Sequence, residues 1–155
     1  MDRDGATVNE SGEQAVVRVE VRNLQTVTVP EQVLVAAARE ALALAGETLD
    51  SLGVALVDAE RMARLNREFL ERSGPTDVIA FPAEQTEEGR SGEVIVCVSV
   101  AEEQAQEQGH SLLRELAVLV AHGTLHTVGH RDDTETGRQV MADLQERAAT
   151  RALAP

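Results

Sequence analysis

Tyrosine and tryptophan are missing from this sequence, and phenylalanine occurs only twice. Val, Leu, Ile and Ala must therefore build the core, and there is little material on which nucleic-acid bases could stack. Lysine is missing too. All fourteen basic residues are arginine, so any phosphate contact is of the planar, forked kind. They are outnumbered by 27 acids, for a formal net charge of −13. That excludes a protein that holds duplex DNA by broad phosphate neutralisation, while leaving room for a local basic cleft. The single cysteine, Cys97, rules out an internal disulfide and fits a reducing compartment. No apolar run approaches the roughly 20 residues of a membrane span, and no charged-then-apolar leader is visible. A cytoplasmic protein with neither a membrane nor a DNA partner is expected.

What is present reads as one domain. A chain of 155 residues, 43% apolar and 26% charged, can bury a core without staples. Residues 1–14 are polar and lack apolar periodicity, which predicts a flexible tail ahead of a single domain over 15–150. Val17, Val19 and Val21 alternate with Arg18 and Glu20, the pattern of a half-buried strand. Pro30 suits a first helical turn, and Val33, Ala37, Ala41 and Leu44 recur at helical spacing as far as Gly46. Ser51–Val57 reads as a second strand. Asp58 then caps a helix whose buried side is Met62, Leu65 and Phe69, with Arg61, Arg64 and Arg67 together on another side.

Thr76–Pro82 reads as a strand closed by its proline, the stretch to Gly92 as an acidic loop, and Glu93–Val98 as the returning strand. Ser99 and Glu102 form a capping box for a short helix stopped by Gly109. His110, in the turn that follows, is expected to be solvated, and Cys97 to be core packing. From Ser111, the residues Leu112, Leu113, Leu116, Leu119 and Val120 predict a helix buried on most sides. Asp133 or Thr134 caps the last helix, through Val140, Met141 and Leu144. The order predicts an α+β fold with a small, mostly four-stranded mixed sheet and helices packed mainly on one face.

The buried helix runs into the stretch that carries chemistry, Ala121–Asp133, reading A-H-G-T-L-H-T-V-G-H-R-D-D. His122 and His126 are four apart and leave one helix face a turn apart, the spacing at which two imidazoles grip one metal ion. Gly129 can stop the helix and turn the chain back, offering His130, Asp132 or Asp133 as a third ligand. Three protein ligands leave a fourth tetrahedral position for water, as in catalytic zinc sites. Imidazole and carboxylate suit zinc, and no cysteine is near. The glutamate of H-E-x-x-H peptidases is replaced by Gly123. Asp133 is the nearest carboxylate to serve as a base. Glu115 shares the face but lies about 10.5 Å down the axis, where it orients or caps.

Four segments together carry a family likeness: N-x-x-F at Asn66–Phe69, P-T-D-V-I-A-F-P at Pro75–Pro82, G-E-V-I-V at Gly92–Val96, and E-L-x-x-L-x-x-H-G-T-L-H-x-x-G-H at Glu115–His130. This combination resembles the YbeY-type metal-dependent endoribonucleases, the bacterial ribosomal RNA maturation factors, over roughly residues 15–148. The resemblance implies one zinc ion held by His122, His126 and position 132, where the family usually has histidine and this chain has Asp132. It implies a single-strand-specific endoribonuclease acting through the metal-bound water. It further implies a role in maturation of the 3′ end of 16S ribosomal RNA and in ribosome quality control, with ribosomal RNA and the small subunit or its associated factors as partners.

Three more positions depart from the family pattern. Leu70 replaces an arginine associated with RNA, Arg131 replaces an aspartate, and Ala80 replaces a serine. Arg131 or Arg67 is the expected substitute for the missing guanidinium, with Arg61, Arg64 and Arg67 as an RNA-binding face. His130 walls the cleft, and Asn66 and Thr76 hold its loop. Two other readings stand beside this one: a small zinc hydrolase of peptides or other esters, and a ribosome-associated metal-binding factor with weak turnover.

Overall fold

The computed structural model describes residues 6–8 and 14–155. A short antiparallel pair joins β1 (Ala6–Val8) to β2 (Gln14–Val16); the rest of the expected tail lies outside the described residues. The domain then runs β3 (Arg18–Asn23), α1 (Glu31–Ala45), β4 (Ser51–Val57), α2 (Ala59–Leu70), β5 (Val78–Thr86), β6 (Gly89–Cys97), α3 (Val98–Gln108), α4 (Leu112–Thr127) and α5 (Glu135–Leu153). Four strands form one mixed sheet in the order β3-β4-β6-β5. β4 pairs in parallel with β3 and β6, placing Val54 opposite Val21 and Val94, while β5 and β6 form an antiparallel hairpin. The expected α+β architecture is the one found.

One sheet face carries the main core. Leu52, Val54, Leu56, Val94 and Val96 pack there against Leu34, Ala37, Ala38 and Leu42 of α1 and Leu116, Ala117 and Val120 of α4. α5 covers the outside of both helices through Met141, Leu144 and Ala148, which meet Ala41, Ala121 and Leu125. α4 is thus enclosed between sheet and helices, with every residue from Glu115 to Ala121 buried. The smaller opposite cluster, Val57, Met62, Ile79 and Cys97, belongs to α2 and the sheet's other face.

Local expectations hold at the helix ends built on side-chain caps and glycine. Asp58 accepts from the Arg61 N–H, Ser111 from Arg114 and Thr134 from Gly137, and Gly46 closes α1 at φ 66°. They fail where the third dimension intervenes. The capping box does not form: α3 begins directly after β6, with Cys97 at its N-cap and no side-chain cap. β5 does not stop at Pro82 but continues to Thr86, so the supposed loop is a hairpin. The strand lies at the sheet edge, and its register shifts between Phe81 and Glu84, so a residue without an N–H breaks no central ladder. Phe69 is 54% exposed and Val140 45% exposed, each beyond the edge of its buried stripe. On α2, Met62 and Asn66 take the inward positions instead.

Candidate metal centre

α4 brings the two histidines to the sheet because Gly123, between them, has no side chain. A Cβ there would come within 2.6 Å of Val94 Cγ1 and 3.2 Å of Val78 Cγ2. The helix therefore seats directly on β5 and β6, and His122 and His126 emerge half-buried beside the strands. At the C-terminus of α4 the chain reverses: Gly129 takes φ 99°, its N–H reaches His126 O at 3.1 Å, and the His130 N–H reaches Leu125 O at 3.0 Å. The reversal returns Asp132 to the histidine face.

The three side chains converge. His122 Nε2 and His126 Nε2 are 3.1 Å apart, and Asp132 Oδ2 lies 3.6 Å from the first and 3.4 Å from the second. A tetrahedral ion bonded at about 2.0–2.2 Å holds its donor atoms about 3.3–3.6 Å from one another. The triangle already has nearly that size, so His122, His126 and Asp132 could hold one metal ion. Of the three candidates for the third position, Asp132 is the one placed in the cluster.

Protonation also suits a ligand. Gln145 Oε1, on α5, lies 2.7 Å from His122 Nδ1. An amide oxygen only accepts, so Nδ1 carries the proton and Nε2 keeps its lone pair for a metal. The pKa of His126 is held below its ordinary 6.5, first by burial and then by neighbouring His122, with Asp132 acting in the opposite direction. Both effects favour the neutral imidazole at neutral pH. Gln145 escaped the sequence reading. Its signal was weak: it follows buried Met141 by four residues, on the edge of the α5 stripe that faces α4.

The cluster lines a cleft of about 570 Å³, open to solvent, whose walls include Leu70, Arg72, Asp77, Ala80 and His130. His130 forms part of the wall, as expected. Arg131 and Asp133 also reach the rim, but they engage each other, Nη2 to Oδ2 at 2.9 Å. Arg61, Arg64 and Arg67 are exposed on α2, and none lines this cleft. Arg64 sits 3.8 Å from Glu60, an exposed pair worth little. His110 is not simply solvated: its Nε2 meets the carboxylate of Glu115, which is buried in the first turn of α4.

The family model described as Endoribonuclease YbeY matches residues 13–152. The Endoribonuclease YbeY of Micrococcus luteus is 37% identical over 87% of this chain and 92% of its own. That of Carboxydothermus hydrogenoformans is 36% identical over 83% and 92%. The chain belongs to the YbeY endoribonuclease family. The fold agrees: the solution structure of a Thermotoga maritima protein superposes with a TM-score of 0.60 at 26% identity, covering 86% of this chain and 89% of that one. As a YbeY-family endoribonuclease, the chain is a metal-dependent hydrolase. Its family motifs fall where the cleft is built: P-T-D-V enters β5 on one wall, and H-G-T-L-H forms the floor. Leu70, 42% exposed, presents an apolar side chain to the cleft at the position where the sequence resemblance leads one to expect arginine.

Proposed function

We propose that the protein is a zinc-dependent, single-strand-specific endoribonuclease of ribosomal RNA maturation, acting in the cytoplasm at the 3′ end of 16S RNA on or near the small subunit. The observation that carries the reading is the His122, His126, Asp132 triangle at the floor of an open cleft. Bound there, zinc supplies a Lewis acid for a phosphoryl oxygen and an activated water. The chain's own residues do the rest. His122 and His126 present neutral imidazoles, Asp132 adds one negative charge, and Gln145 fixes the tautomer of His122. Asp133, bound to Arg131 at the rim, is a cleft carboxylate outside the cluster, and the hydrogen bond and charge of that guanidinium hold its pKa below the ordinary value, so it faces the cleft ionised, as an acceptor.

Cleavage of a labelled 16S 3′-terminal fragment, free and annealed to its complement, tests this. Cutting of the free strand alone supports the reading; a zinc-loaded protein that cuts neither would end it. The peptidase-like reading loses ground to Gly123, since no carboxylate fits where such an enzyme places its base. The ribosome-bound factor with weak turnover is favoured by one observation, the apolar Leu70 in the cleft.

Two further outcomes follow from the ligand environment. Gln145→Leu leaves Nδ1 of His122 without an acceptor and lowers zinc affinity by about 10- to 100-fold. Competition with a chromogenic chelator measures it, and unchanged affinity would show that the 2.7 Å contact does not orient the ligand. For the metal-free protein, the depressed folded pKa of His126 means that the unfolded chain takes up its proton first as the pH drops below 6.5. Its contribution to stability is full above that value and is lost as the pH falls through the folded pKa. Urea unfolding of apo-protein between pH 7 and 5 should lose less stability in His126→Gln than in wild type.

A further inference from the structure

A nuclease cleft needs a cation that meets phosphate, and the expected one is replaced by Leu70. Among the residues lining the cleft, two are arginines, Arg72 and Arg131. Arg131 already has a partner: its Nη2 and Nε both donate to Asp133 Oδ2, at 2.9 and 3.3 Å, so a phosphate that meets its remaining N–H groups also meets the Asp133 carboxylate beside them. Arg72 is exposed, and among the described residues its side chain makes no hydrogen bond or ion pair.

Its position is built. α2 ends at Glu71, the one non-glycine residue with a left-handed backbone among those described, φ 54° and ψ 32°. The turn sends Arg72 back across the helix end, where its N–H reaches Asn66 O at 3.3 Å. Asn66, 3% exposed, donates from Nδ2 to Gly74 O at 2.9 Å, so the same buried residue ties both ends of the segment 72–74. Arg72 also lines a second depression of about 480 Å³, together with Arg67, Glu71 and Ser73, none of which lines the metal cleft. It therefore stands on the ridge between the metal cleft and the end of α2.

We propose that Arg72 is the phosphate-contacting cation of this cleft, holding the RNA backbone beside the metal cluster, and that the strand leaves over the 71–74 loop towards Arg67. The inference rests on the endoribonuclease reading and adds the substrate path. It also revises the expected substitute for the missing guanidinium: Arg72 takes that place, Arg67 stands further along the strand, and Arg131 is held by Asp133.

The test is equilibrium binding of a fluorescein-labelled single-stranded RNA, protected by 2′-O-methyl groups, to zinc-loaded protein over a series of NaCl concentrations, with cleavage of the unprotected RNA followed in parallel. Arg72→Ala should weaken binding roughly 10- to 100-fold, the loss of one charge-assisted contact. It should also flatten the slope of log affinity against log salt by about 0.7, the share of one single-strand phosphate. Arg72→Lys should restore the slope while recovering only part of the affinity, because the forked contact is gone. Arg131→Ala should stay within about threefold of wild type.

Wild-type affinity and slope in Arg72→Ala would overturn the proposal while leaving the nuclease reading intact. So would a loss of affinity with an unchanged slope, which would mark a structural effect. Wild-type protein that cuts the RNA but shows no salt-dependent binding would overturn it as well. Protein that neither binds nor cuts would remove the nuclease reading and this inference together.

Discussion

His126→Ala should leave a folded protein that neither retains zinc nor cleaves RNA. Two ligands remain after the change, an imidazole and a half-exposed carboxylate, and neither is rigid enough alone to keep the ion through purification. Loss of the metal removes several kcal/mol of transition-state stabilisation, on the order of 10³-fold in rate or more. Compared metal-free, the two proteins should hardly differ in stability. His126 is half-buried, its protonation is already disfavoured by burial and by His122, and its Nε2 faces only other members of the cluster. The matched control is His130→Ala, which trims the cleft wall without touching the triangle and should keep its zinc. Metal content and cleavage of a single-stranded ribosomal RNA fragment, measured on identically purified proteins, decide the matter. Equal cleavage by wild type and His126→Ala would mean that the activity belongs to a contaminant. Zinc retained by His126→Ala would mean that the triangle is not the site.

The legible parts of this protein are those in which a local rule and the tertiary fold agree. α4 could be read because its apolar positions are buried on nearly every side, so no competing face obscures the pattern. β4 was found residue for residue because a central strand buried on both faces reads as a continuous apolar run. The histidine pair was legible because helix geometry sets its spacing, whereas the glycine turn alone left His130, Asp132 and Asp133 open as the third ligand and only the family resemblance pointed to position 132. What escaped depends on distant chain segments. Nothing local says that Pro82 lies on an edge strand, where its missing N–H is harmless. Gln145 matters only because α5 folds back across α4, and His110 only because it meets buried Glu115. The Ser99 capping box lost to continuity: β6 delivers the chain already turned for a helix at Val98, one residue before the serine.

Gly123→Glu, which would complete the H-E-x-x-H pattern of a zinc peptidase, should instead destroy the fold. The Cβ alone meets Val94 Cγ1 at 2.6 Å and Cγ2 at 3.1 Å, with Val78 Cγ2 at 3.2 Å. Both neighbours are β-branched and stiff, and Val94 is fully buried within the sheet core, so neither can withdraw cheaply. A glutamate must either push α4 off the sheet or carry its carboxylate among valines without a partner. Either exceeds about 4 kcal/mol, a large part of the 5–15 kcal/mol that holds a typical domain together. Gly123→Ala separates the steric part from the charge. Overpacking costs about 1–3 kcal/mol, and replacing a helical glycine returns about 1, leaving a net loss between about zero and 2. Pairing it with Val94→Ala should recover part of that loss, because the two sites share one contact. Urea unfolding of the single and double variants measures each step, and a Gly123→Ala protein more stable than wild type would show that the close approach relaxes freely. If the losses appear as expected, the same glycine that seats the histidines on the sheet also denies the cleft a peptidase's base.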